Sequence, residues 1–460
     1  MRSLALAAAI CLLAVPGVAH AQAWGPAQLA HPFLGPAGSA TMHGDAGSSD
    51  TTPYPGPGTR PLTVRADPLA AACPTLLQGR DGLVVALCTS IAGQVPTVHL
   101  LDPEHGSLAA LPLVKGSLLG GVYAYLDHED RLVAVDGERA LIRVAHHRDA
   151  DGRWRLAIAE RTDLAAAIPQ GDSVTGLVPD WSGTVWFATG RGVVGVLTPD
   201  GGTATVDLGE QVANSISAAP DGRVAVATTH ALYELTAADG VPRIAWRAPY
   251  DRGSARKPGQ LSHGTGSTPT YFGPDTGSEY LTVVDSADAG VRVLVFRSGT
   301  GELVCAQPVL AAGGPGSENS PVGAGRSVFV AGTYGYPYPT VPGDAGPAVP
   351  PAAPFTGGMT RVDVDVAGCH TVWDSGIRSA AVPHLSTADG LLYTLTRHGP
   401  EIATPADGFS VTVLDPATGA VLADSPAPGT VLDDPLQMSP LILPDGRMLQ
   451  GTVTGVLRIG

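Results

Sequence analysis

The stretch PDWSGTVWFATGRGVVGVLTPDG, residues 179–201, decides the fold. It holds two short β-rich runs, TVWFAT and VVGVL, and turn residues (Asp, Gly, Pro) bound each of them. The same unit returns along the chain in DGLVVALCTS (81–90), DGRVAVATTH (221–230), RSVFVAG (326–332), DGLLYTLTR (389–397) and DGRMLQGTV (445–453). Each of these runs leads into a second run that ends in another turn. No long stretch carries the 3.6-residue period of an amphipathic helix. Four-stranded units of about 40 to 60 residues, repeated head to tail, predict an all-β chain folded as a β-propeller, because radial stacking covers the two apolar faces that one unit alone exposes. The units fall near 69–116, 118–168, 172–209, 212–250, 258–312, 317–376 and 379–428, with a last one from 432. Eight blades are expected, with seven the nearest alternative and an array of β-sandwiches a further one. The last unit supplies about three strands before Gly460, and RPLTVRADP (60–68) can complete it. A ring closed by strands from both ends leaves no open sheet edge.

Residues 1–21 read as a signal peptide. Arg2 precedes the apolar run Leu4–Val15, and Ala19-His20-Ala21 forms a small-residue cleavage signal. The run is too short to cross a bilayer, and no later run of about 18 apolar residues follows. Residues 22–60 are rich in Gly, Pro, Ser, Ala and Thr without an apolar period, which predicts a flexible arm in which His31 and His43 are solvated. Residues 61–460 form a single propeller domain. A periplasmic or extracellular location follows, and a monomer is expected. The formal charge is −15, and loss of the leader with its Arg2 makes it one unit more negative. Such a surface excludes nucleic acid and anionic membrane as partners. Of five cysteines, Cys11 leaves with the leader. The remaining four suggest two disulfides, most simply Cys73 with Cys88 and Cys305 with Cys369.

The segments LDPEHGSLAAL (101–111), RSGTGELVCA (297–306) and VLDPATGAVLA (413–423) resemble the blade tails of quinoprotein-dehydrogenase-like (PQQ-like) propellers. The opening stretch resembles a blade of the lactonase and streptogramin-lyase-like propellers. The first resemblance implies a propeller, and in that family a PQQ cofactor. This chain lacks an adjacent Cys pair, most of the blade-tail tryptophans and the haem motif C-x-x-C-H, so its residues do not support PQQ. The second implies a calcium site of Glu, Asn and Asp at the channel mouth.

Four units share an entry pattern centred on proline: GSTPTYF (266–272), ENSPVGA (318–324), AVPHLST (381–387) and QMSPLIL (437–443). In register, the residues before Pro269, Pro321, Pro383 and Pro440 ring one end of the channel. That ring holds Ser267, Thr268, Glu318, Asn319, Ser320, Gln437, Met438 and Ser439, with His263 and His384 at similar depth. Glu318, His263 and His384 are the candidates for acid–base chemistry. Ser267, Thr268, Ser320, Asn319 and Ser439 are candidates for ligand contacts. Glu318, Asn319 and Asp285 offer the hard oxygen donors that suit Ca2+. The competing reading is that these groups satisfy neighbouring blades, and that Asp285 closes an Asx turn. The loop 332–358 is long for a blade connection, and its Tyr334, Tyr336 and Tyr338 suit a lid or a flat ligand. No GxSxG elbow, HExxH, Walker loop or EF-hand occurs. Two readings stay open. One is a ligand- or partner-binding propeller of the cell envelope, taking a small molecule, a glycan or an envelope protein. The other is a funnel-site enzyme, such as a metal-assisted hydrolase or lactonase, with a PQQ-type oxidoreductase the more distant variant.

Overall fold

In the opening stretch, Asp180 organises the first turn. Its Oδ1 accepts from the Ser182 and Thr184 amides at 2.8 and 3.1 Å, and its Oδ2 accepts the Trp186 indole N–H at 2.9 Å. The buried Trp186 therefore leaves no polar atom unpaired, as a core tryptophan requires. On the neighbouring strand Gly195 makes room for the Phe187 ring, since a Cβ there would lie 2.2 Å from it. The two runs pair as antiparallel strands, Val185–Thr189 with Val193–Leu197.

The structure is a computed structural model that describes residues 24–26, 29–116 and 123–460. The expected signal peptide lies outside the described residues. Among the latter, the strands form eight sheets, each built as a four-stranded antiparallel blade. Blades 1 to 7 span 71–112, 125–163, 174–207, 217–249, 270–308, 322–375 and 384–426. Blade 8 combines 440–459 with the strand Val64–Pro68, which pairs antiparallel with Gly455–Ile459, Val64 opposite Ile459. The ring thus closes with strands from both ends of the chain. The chain is a β-propeller of eight blades, as its repeats predict.

Apolar side chains fill the space between blades. One continuous cluster joins Leu77, Leu100, Leu126, Ile142, Trp186, Phe187 and Tyr233, and further clusters bridge the remaining blades. Both expected disulfides form. Cys73–Cys88 links the first two strands of blade 1, and Cys305–Cys369 ties the outer strand of blade 5 to that of blade 6.

Composition predicted a flexible arm for residues 22–60, and here the structure corrects the reading. Residues 39–52 thread the channel and are largely buried, Asp50 and Thr52 completely. Their carbonyls accept from the inner strands of six blades: Ser39 from Gln78, Ala40 from Leu126, Ala46 from Ala218, Gly47 from Tyr271, Ser49 from Gly323 and Asp50 from Leu385, at 2.7–3.0 Å. Thr51–Thr52 then adds a parallel strand to blade 7. The physical reason is that the inner strands present open backbone edges to a crowded axis, and small residues approach those edges closely. Small residues that lack an apolar period look the same in a disordered tail. His31 and His43 are accordingly packed. The His31 ring lies 4.2 Å from that of Trp181, and burial lowers its pKa to about 4.

Candidate functional site

The four prolines fall where the sequence register placed them. The inner strands of blades 5, 6 and 7 begin directly after Pro269, Pro321 and Pro383, and that of blade 8 begins at Pro440. Proline suits this first position because it has no amide to offer the ladder. The preceding residues meet at one mouth of the channel. They surround a cavity of about 470 Å³ to which Thr268, Glu318, Asn319, Ser320, Gln437 and Ser439 contribute.

Not every expected residue reaches it. The Ser267 hydroxyl donates to the Asn319 carbonyl at 3.1 Å and accepts from the Val284 amide at 3.2 Å, so it braces blade 5 against blade 6. His263 faces a separate side cavity, its Nε2 3.1 Å from the Gly253 carbonyl oxygen. His384 lies buried within the field of Asp50 and His43, and burial lowers its pKa to about 4. Neither of its ring nitrogens has a partner among the described residues. Asp285 closes a turn, accepting from the Arg292 amide at 2.7 Å and the Arg292 Nε at 3.2 Å, and it is absent from the cavity wall. The expected Glu318–Asn319–Asp285 set is therefore not assembled, and the Asn319 amide group is already donating to Gln437 Oε1 at 2.8 Å. Among the described residues no three His, Cys, Asp or Glu side chains converge as a metal cluster. The donor set does not fit calcium.

The long loop 332–358 roofs the cavity through Tyr338, Pro339, Thr340 and Pro342. Tyr334 and Tyr336, expected at the ligand, serve the loop itself. Tyr334 packs against Gly314. The Tyr336 hydroxyl donates to Asp434, and its ring meets Phe355 edge-on at 5.1 Å. Asp434 also holds the buried Arg397, whose Nη1 donates to it at 2.8 Å and whose Nε donates to Asp407 at 2.8 Å. This network anchors both the roof and the turn carrying Leu436 and Gln437, two residues held at positive φ of 50° and 57°. Strain of that kind persists only where the surroundings over-determine it.

Glu318 is the unusual group of the wall. It is buried, and neither oxygen has a satisfactory hydrogen-bond partner among the described residues. Burial pushes its pKa up to about 8, opposed more weakly by the Leu261 amide and the Arg256 guanidinium. Burial therefore favours its neutral carboxylic acid form, which can donate as well as accept. No Lys or Arg is among the described residues lining the cavity. PQQ is a tricarboxylate, and a wall without cations does not fit it.

At the floor of the cavity, Thr268 and Ser320 meet two residues that the sequence did not bring to the site. His43 and Asp50 arrive on the channel segment, with His43 Nδ1 2.8 Å from Asp50 Oδ1. Ser320 donates to the other oxygen of Asp50, and Thr268 Oγ1 lies 3.5 Å from His43 Nε2. The only available signal was a His and an Asp within a Gly- and Ser-rich stretch, and that points to nothing without the fold.

No protein-family model matches the chain. An uncharacterized protein of Archaeoglobus fulgidus is 29% identical over 244 residues, which is 51% of this chain and 46% of that one. The chain thus spans about half the length of the curated relative that it matches. Among solved structures, the quinohemoprotein alcohol dehydrogenase of Comamonas testosteroni aligns over 93% of this chain and 80% of its own, with a TM-score of 0.55 and 11% identity. That likeness is one of fold. BamB of Moraxella catarrhalis aligns over 71% of this chain and 95% of its own, with a TM-score of 0.38 and 15% identity.

Proposed function

We propose that this chain is an exported propeller that binds a neutral, largely apolar small molecule at the mouth of its channel. The observation that carries this reading is the Glu318 carboxyl, buried without a satisfactory partner against a roofed cavity that no described cation lines. An unsatisfied buried polar group costs about 1–3 kcal/mol, and a ligand that hydrogen-bonds to it recovers that cost. Apolar neighbours such as Met42, Leu261, Val382 and Leu436 suit the body of such a molecule, with Glu318 fixing its orientation. Two disulfides and the N-terminal sequence support an oxidising compartment, the periplasm or the medium. Among the described residues no helix is long and apolar enough to cross a membrane.

The test is a ligand-observed NMR screen of the purified protein against matched neutral and anionic fragments. Neutral fragments are expected to bind, and Ser439→Leu, which fills the cavity, is expected to displace them while the protein still melts cooperatively. Preference for anions, or binding indifferent to Ser439→Leu, would sink the reading.

A further inference from the structure

The floor of the cavity carries more machinery than retention of a ligand requires. Resting on the reading of the funnel as a site for neutral molecules, we propose that it hydrolyses neutral esters or lactones, with Thr268 as nucleophile, His43 as its base and Asp50 as the group that orients His43.

The order of contacts is what this chemistry needs. Asp50 Oδ1 accepts from His43 Nδ1 at 2.8 Å, which places the ring proton on Nδ1 and leaves the Nε2 lone pair free. Nε2 faces the Thr268 hydroxyl at 3.5 Å. Separations of this kind are commonly loose without a substrate and tighten when it binds. A hydroxyl on one ring nitrogen and a carboxylate on the other is the arrangement that activates a serine or threonine oxygen. Asp50 is fully buried, and its second oxygen takes the Ser320 hydroxyl. Its backbone sits at φ 52°, a costly conformation that the six-blade contacts of the channel segment hold in place. Thr268 enters from blade 5, just before Pro269, whereas His43 and Asp50 enter from the channel segment, so the group exists only in the assembled ring.

The reaction balances without an oxidant, a reductant or a metal. Thr268 Oγ1 attacks the carbonyl carbon, and its proton passes to His43 Nε2. The ester C–O bond breaks, and His43 returns that proton to the departing alkoxide. Water then attacks the acyl carbon and gives its proton to His43. That proton goes to Thr268 Oγ1 as the acyl–oxygen bond breaks. Water and ester have become acid and alcohol. Glu318, on the same cavity wall, supplies an O–H donor for the carbonyl oxygen. The acid product ionises in a cavity that no described cation lines, which favours its release.

A fluorophosphonate probe tests the assignment without knowledge of the natural substrate. The expected result on the full chain is one phosphonyl adduct with loss of fluoride, mapped to Thr268 by peptide mass spectrometry. Thr268→Val should abolish it, Thr268→Ser should restore it, and His43→Gln should slow it by about 100-fold or more. Circular dichroism and melting identify any variant that fails to fold, and the Thr268 pair decides the matter if His43→Gln does not fold. No adduct, an adduct on Ser320 or Ser439, or a rate unmoved by His43→Gln overturns the proposal. Neutral fragments that bind a protein which never labels would leave the ligand site standing and remove the hydrolysis. Failure of both would remove both.

Discussion

Glu318 and His384 are both buried, and burial drives them in opposite directions. Glu318 is raised from 4.5 to about 8, so the stability of its neutral form is complete below 4.5 and is lost as pH rises through about 8. His384 is lowered from 6.5 to about 4, so the stability of its neutral form is complete above 6.5 and is lost as pH falls through about 4. Stability should therefore peak between these limbs, each group contributing a slope of at most about 1.4 kcal/mol per pH unit. In melting curves from pH 4 to 9, Glu318→Gln should flatten the alkaline limb and leave the acid limb in place. An alkaline slope identical to that of the parent protein would show that Glu318 is not held neutral. Glu318 was legible from its place before Pro321. Its protonation was not, because that follows from what surrounds it.

At the scale of the element, the channel segment turns on Gly44. Its φ is +86°, and a Cβ there would lie 2.1 Å from the Thr51 carbonyl oxygen. Gly44→Ala should cost about 2–3 kcal/mol and shift His43 and Asp50 on either side of the turn. Gly58 has a similar φ of +80° but open space around it, so Gly58→Ala should cost only about 1 kcal/mol. Chemical denaturation of the two variants gives the comparison, and equal losses would mean that the packing of the segment contributes nothing. The sequence misled here because small residues without an apolar period suit both a disordered tail and a strand packed at a crowded axis. The blade strands were readable because their alternation of turn and β-run is local.

At the scale of the whole molecule, ring closure depends on Gly455–Ile459 pairing with Val64–Pro68. Truncation after Thr454 removes one partner and leaves long unpaired edges in blade 8. The truncated chain should lose cooperative melting altogether. Removal of the Cys305–Cys369 bridge by a double serine substitution should instead leave a folded ring, less stable by about 2–4 kcal/mol. A truncated chain that melts as the full one does would refute closure as the organising contact.

By itself the sequence determined the strands, the repeat of four-stranded blades and the ring of residues before the four prolines, and it pointed to eight blades, closure by residues 60–68 and the two disulfides that the fold then fixed. All of these rest on short-range periods, turn chemistry and a repeat that can be laid in register. The tertiary structure alone decided that residues 39–52 fill the channel, that Tyr338 and not Tyr334 or Tyr336 walls the cavity, that Asp285 and His263 stand elsewhere, and that Thr268, His43 and Asp50 meet. Those facts depend on groups far apart in the chain arriving at one axis, and on the loss of water there, which no local pattern records.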